Sequence, residues 1–210
     1  MKTITCYIDF ISPYAYLAFE ALPQSLMGVS HRVVYKPVLF GAVLKHHGQL
    51  GPAEIAGKRE WTYRQVLWLA HQMGVRLEMP AAHPFNPLAL LRLALTCSTD
   101  GSINRHVAQT VFEHVWHGGA AADDATRLST LVEQLASQQR VDAQTAKDFL
   151  KINTDEALSV GVFGVPTCVV DDKLFWGLDA LPMLRAYLDG HQNIDAIWVA
   201  GTKVGAGIKR

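Results

Sequence analysis

The stretch Ile8-Asp9-Phe10-Ile11-Ser12-Pro13-Tyr14-Ala15-Tyr16-Leu17-Ala18 decides how this chain reads. Its first half ends a run, from Lys2 to Ile11, that is rich in β-branched and aromatic residues, the pattern of a buried strand. Ser12-Pro13 then opens a helix, because serine suits an N-cap and proline the first turn. Tyr16, Leu17, Phe19 and Leu22 continue at helical spacing, which predicts a helix from Pro13 to Leu26. At such a strand-to-helix turn a Cys-X-X-Cys would mark dithiol redox chemistry. Here the four positions are Ser12-Pro13-Tyr14-Ala15, so the turn is kept without its sulfurs.

Outward from this turn, His31 to Leu39 reads as a second strand and completes a β-α-β unit with parallel pairing. From Phe40 to about Glu156 the pattern is helical, with apolar periodicity at Trp61–Met73, Leu88–Leu95, Val107–Trp116, Leu128–Leu135 and Ala146–Ile152. Breaks are expected at Met79-Pro80, Pro84 to Pro87, Asp100-Gly101, Gly118-Gly119 and Asn153. Strand signal returns from Gly161 to Gly177, with Asp171-Asp172 as a hairpin turn that lacks the usual glycine. Asp179 then reads as the cap of a last helix, Ala180 to Leu188, ended by Gly190. The predicted class is α/β, ordered β-α-β then β-β-α around a large all-helical insertion. Residues 1–39 and 157–190 form the α/β domain, 40–156 the insertion, and 191–210 an appended tail, expected to be partly disordered.

Among 210 residues, half are hydrophobic, and lysine plus arginine balance aspartate plus glutamate at 19 each. That balance argues against nucleic acid or an anionic membrane as partner and favours a small molecule or a protein. The N-terminal apolar run is interrupted by Asp9 and Glu20 and does not read as a cleavable leader, so the expected compartment is the cytoplasm. Cys6, Cys97 and Cys168 lie far apart, with no Cys-X-X-Cys and no zinc spacing. Cys6 and Cys168 fall in apolar strand-like runs and are expected to be reduced core residues. His46-His47 diverge by about 100° on a helix, and His114 with His117 lacks a third ligand, so no metal is expected. Trp61, Trp68, Trp116 and Trp176 read as core or pocket wall, without the alternation of basic and aromatic residues that nucleic acid requires.

Three pieces of the chain resemble a known family: Ile8 to Ala18, Gly161 to Thr167 (G-V-F-G-V-P-T) and Leu174 to Asp179 (L-F-W-G-L-D). Their order and spacing are similar to the thioredoxin-like folds of the DsbA and kappa glutathione transferase group. More narrowly they resemble the bacterial 2-hydroxychromene-2-carboxylate isomerases, over most of the chain up to about Gly190.

The resemblance implies that glutathione supplies the sulfur. A free thiol with a pKa of about 8.5 is only a few per cent ionised at neutral pH, and lowering that pKa by about two units requires roughly 2.7 kcal/mol of preferential stabilisation. Ser12 would donate to this sulfur at the positive end of the helix that starts at Pro13, or else serve only as its N-cap. Val165-Pro166 would be a cis-proline pair whose backbone holds the cysteinyl part of glutathione; otherwise Pro166 is an ordinary turn proline. Leu178 and Asp179 would receive the γ-glutamyl end, with Leu178 replacing the Asn or Ser of relatives and Asp179 otherwise a plain cap. Gln49 stands where the family carries Asn, and Lys58 would pair with the glycyl carboxylate or remain solvated. Lys36 and Asn86 would border the organic acid pocket, or act as a surface charge and a helix cap.

The activity implied is a glutathione-dependent isomerisation of 2-hydroxychromene-2-carboxylate to trans-o-hydroxybenzylidenepyruvate in the breakdown of naphthalene-type aromatics. It would proceed by reversible thiolate addition, bond rotation and elimination in a homodimeric enzyme. A kappa-class-like glutathione transferase and a non-catalytic thioredoxin-like module that binds extended peptide are the alternatives.

Overall fold

The computed structural model of the chain describes residues 1–205 and Gly207. A four-stranded sheet in the order β2-β1-β3-β4 is built from β1 (Lys2–Ile8), β2 (His31–Pro37), β3 (Thr167–Val170) and β4 (Lys173–Trp176). β2 runs parallel to β1, while β3 is antiparallel to both β1 and β4. Helix α1 (Pro13–Ser25) joins β1 to β2. Between β2 and β3 the chain forms α2 (Phe40–His46), α3 (Ala56–Met73), α4 (Leu88–Thr96), α5 (Arg105–Trp116), α6 (Ala125–Leu135) and α7 (Ala143–Ser159). After β4 come α8 (Leu181–Leu188) and α9 (Ile194–Thr202). The expected β-α-β, helices, β-β-α order is present.

Alternation along β1 sorts the sheet faces. Ile4, Cys6 and Ile8 join a core with α1, α4, α5 and α8, while Tyr7 points the other way onto Ala157, Val162 and Val165. The larger core is continuous from the sheet into the helical segment, because Phe112 of α5 packs against Phe10, Tyr16 and Phe19. Fully buried Trp116 donates its indole N–H to the Phe10 carbonyl at 3.1 Å, which fixes the backbone just before Ser12. Helices α5, α6 and α7 open on Asn104, Asp124 and Asp142, whose side chains each accept a first-turn N–H.

Several boundaries differ from the sequence-based expectation, each for a local reason. β1 stops at Ile8, not Ile11, because the Asp9 carboxylate takes the N–H groups of Ile11 (3.2 Å) and Phe40 (2.9 Å) and bends the chain. Asn153 does not break α7; it is buried within it and donates to the carbonyls of Pro37 and Gly101 at 3.0 and 2.8 Å. Asp179 does not cap α8. Gly177, at φ 94°, turns the chain into a separate 3-10 turn, Leu178–Ala180, so α8 begins at Leu181 with Ala180 at its N-cap. In the hairpin, Asp171 itself takes the left-handed conformation (φ 56°) usually left to glycine, and its carboxylate is held by Lys2 and Tyr187. The tail includes α9, anchored by buried Ile194 and by Trp198 against Phe175 at 5.1 Å; Ala206 and 208–210, the rest of its Gly-rich end, lie outside the described residues. Among the described residues no helix is long and apolar enough to cross a membrane.

Candidate active site

Ser12 sits at the N-cap of α1, with its Oγ accepting the Ala15 N–H at 3.2 Å. The same hydroxyl donates to the Val165 carbonyl at 3.4 Å, across the cis Val165–Pro166 bond. That second contact is long for an O–H donor, whose usual range is about 2.5–3.0 Å. The proton is therefore weakly held and can turn toward a better acceptor while the cap stays intact. Ser12 and Val165 are 7 % and 6 % exposed, so an anion here would lie in a mostly dry site.

The local field favours such an anion. The first turn of α1 carries no acidic residue to oppose its positive end. The nearest upstream carboxylate, Asp9, is fully buried, and burial raises its pKa from 3.8 to about 7 despite N–H bonds from Phe40, Ile11 and Phe10. Near neutral pH it carries only part of a charge.

The next wall is built by the strand after the cis-proline. Gly177 donates its N–H to the Pro166 carbonyl at 2.9 Å, which brings the Leu178–Ala180 turn against α1. Leu178 packs against the cluster of Leu17, Val66 and Ala70, leaving Asp179 exposed. The Asp179 carboxylate folds over Gly177, where a Cβ would fall 2.5 Å from its Oδ1. On the other side of the proline, Phe163 and Trp176 meet edge to face at 4.9 Å, and the indole covers Gly164.

Ser12, Val165, Pro166, Leu178 and Asp179 thus converge on one end of α1. Gln49 and Lys58 are exposed on the helical segment. Gln49 follows α2, whose C-cap residue His47 donates to the Val162 carbonyl at 3.1 Å, while Lys58 lies in the first turn of α3. Lys36 is not free: its ammonium pairs with Glu156 of α7, which also accepts the Tyr7 hydroxyl at 2.7 Å. Burial opposes the charge on Glu156, but the bonds from Lys36 and Tyr7 outweigh it and hold the carboxyl below its usual range. Asn86 accepts the Leu88 N–H at 3.1 Å and shapes the entry to α4.

Two residues missed in the sequence support the turn from behind. His83 Nε2 donates to the Ile11 carbonyl at 2.8 Å, and its Nδ1 meets the Tyr63 hydroxyl of α3 at 2.8 Å. Burial lowers the His83 pKa. Tyr14 adds a second tie to α3, donating to Gln65 at 2.7 Å. The signal available was His83-Pro84 before the Asn86 motif, but no periodicity connects it to Ile11.

A family model for the DSBA-like thioredoxin domain matches residues 3–189. The chain belongs to the DsbA-like thioredoxin family. Within it, the chain is 27 % identical over 198 residues to a 2-hydroxychromene-2-carboxylate isomerase of Sphingobium xenophagum, covering 89 % of this chain and 98 % of that one. It is 22 % identical over 206 residues to glutathione S-transferase kappa 2 of Caenorhabditis elegans, covering 89 % and 92 %. A solved 2-hydroxychromene-2-carboxylate isomerase superposes with a TM-score of 0.72 at 23 % identity, over 93 % of this chain and 98 % of that one. These relatives bear out the resemblance carried by the three motifs. Unlike a dithiol member of the DsbA-like family, this chain has no cysteine in the turn from Ser12 to Ala15.

Proposed function

We propose that the chain is a glutathione-dependent isomerase of a small aromatic organic acid, of the type that interconverts 2-hydroxychromene-2-carboxylate and trans-o-hydroxybenzylidenepyruvate. The observation that carries this reading is the loosely held Ser12 hydroxyl at the start of α1, beside the cis-proline carbonyl, in a turn without cysteine. The names of the isomerase relatives support it.

The donor set fits glutathione, which carries a thiol, two carboxylates and an ammonium group. Bound glutathione supplies the thiol nucleophile that the turn lacks. Ser12 redirects its proton from Val165 to stabilise a thiolate, together with the N-terminal end of α1. Val165 offers its backbone, Leu178 the backbone of the 3-10 turn, and Asp179 a carboxylate for an ammonium group. Lys58, which makes no ion pair among the described residues, offers a cation for a carboxylate, with Gln49 as an amide donor. Lys36 and Asn86 border the organic acid, Lys36 with Glu156 as its resting partner. The same reading puts the protein in the cytoplasm as a homodimer. A kappa-class-like transferase is the second reading, favoured by kappa relatives of similar coverage.

Calorimetric titration of glutathione into wild type and Ser12→Ala, with S-methylglutathione as comparison, tests the site. Expected is submillimolar binding that Ser12→Ala weakens for the thiol but not for the thioether, followed by turnover of the chromene acid. Turnover of a different electrophile to a stable conjugate would select the transferase. No heat at millimolar glutathione would overturn both and leave the peptide-binding module.

A further inference from the structure

Cys6 on β1 and Cys168 on β3 stand directly opposite in the antiparallel register. Such partners have Cα atoms about 4.5 or 5.5 Å apart, and both values lie in the roughly 4.4–6.8 Å range of disulfides. The two sulfurs are 2.7 Å apart. That is closer than the roughly 3.5–4.0 Å at which non-bonded carbon atoms rest, and about 0.7 Å beyond an S–S bond. Both side chains are buried among apolar neighbours, on the sheet face that packs against α1. A void with room for one water-sized molecule, about 10 Å³, is lined by both cysteines, Ala15, Phe19, Pro166 and Gly177. It adjoins the cis-proline loop, so a small neutral molecule entering there meets both sulfurs. Cys97 lies elsewhere, at the end of α4.

We propose that Cys6 and Cys168 are a dithiol oxidised to a cross-strand disulfide by hydrogen peroxide. One sulfur attacks the peroxide, the O–O bond breaks, and a sulfenic acid forms as water leaves. The second thiol displaces the sulfenic oxygen as a second water, its proton leaving with it, and the S–S bond closes. Two electrons pass from the two sulfurs to the peroxide, so two thiols and one hydrogen peroxide give one disulfide and two waters. The bond would staple β1, which leads to Ser12, to β3, which follows Pro166. It does not depend on which substrate the site takes. The neighbouring Cys168 and burial push the Cys6 thiol well above its usual range, which makes a slow reaction with a neutral oxidant the expected course.

Reduced, folded, full-length protein is treated with hydrogen peroxide, its remaining thiols are then alkylated under denaturing conditions, and its peptides are mapped by mass. Expected is an intact mass about 2 Da lower before alkylation, two fewer alkylatable thiols, a linked peptide pair containing Cys6 and Cys168, and a higher melting temperature. Dithiothreitol should reverse all four. Cys97→Ser, at a half-buried residue that borders the core, should still form the linked pair, and Cys168→Ala should abolish the change. Full alkylation of Cys6 and Cys168 after peroxide, or linkage through Cys97, would overturn the proposal.

Discussion

The Ser12 hydroxyl joins two parts of the chain 153 residues apart, donating to the Val165 carbonyl at 3.4 Å while accepting the Ala15 N–H at 3.2 Å. The shorter contact closes a helix, and the longer one defines a site. Ser12→Ala removes both. The expected loss is about 1 kcal/mol, dominated by the cap, measured by urea unfolding. Ser12→Cys should place an acidified thiol at the same helix end and take up one glutathionyl group from glutathione disulfide, read by intact mass against wild type. A variant that stays unmodified would mean that the turn does not admit glutathione.

Gly164 is required for space. A Cβ there would lie 2.5 Å from the Trp176 Nε1 and 3.2 Å from its Cε2. Gly164→Ala should cost about 1–3 kcal/mol, and Trp176→Ala in the same chain should recover most of it, since that ring is 53 % exposed and free to be removed. A double-mutant cycle checks the coupling; additive losses would place the strain elsewhere.

His83 holds the Ile11 carbonyl from the far side of the turn. His83→Phe keeps ring packing against Trp116 but leaves the Ile11 carbonyl without its donor, while the Tyr63 hydroxyl keeps the backbone carbonyl of residue 83 at 2.8 Å. About 1–3 kcal/mol should be lost, with Tyr63→Phe losing less. Because burial lowers the His83 pKa, the unfolded chain takes its proton first as pH falls below about 6.5. This residue's contribution is therefore present above that pH and declines under acid. Unfolding of wild type and His83→Phe across that range should converge.

Asp9 runs the other way. Its carboxyl is raised by burial from 3.8 to about 7, so between those values the folded state holds a proton that the unfolded chain has released. Its contribution is full below about pH 4 and lost by about pH 7, with a ceiling of roughly 4 kcal/mol. The stability of wild type minus that of Asp9→Asn should fall from about pH 4 to about pH 7 and then level. A flat difference would mean that Asp9 is charged throughout.

Much of the frame was legible without coordinates, because capping, alternation and turn chemistry act within a few residues. Ser12-Pro13 opened α1, the β-branched runs became β1 and β2, and Asp171-Asp172 became the hairpin. The Val165-Pro166 motif was recognised as a unit, and the structure shows it cis and against Ser12. Two local signals misled for tertiary reasons. Asn153 remains helical because Pro37 and Gly101 satisfy its amide, and Asp179 leaves the α8 cap because Gly177 turns the chain one step earlier.

By itself the sequence determined the order of elements, a sulfur-free turn at the start of α1 and the absence of a local dithiol. Only the tertiary structure decided that Lys36 meets Glu156, that His83 reaches Ile11 and that Cys6 faces Cys168 across 162 residues. A buried polar group or sulfur takes whichever partner the packed core brings within about 3 Å, and packing obeys no spacing along the chain.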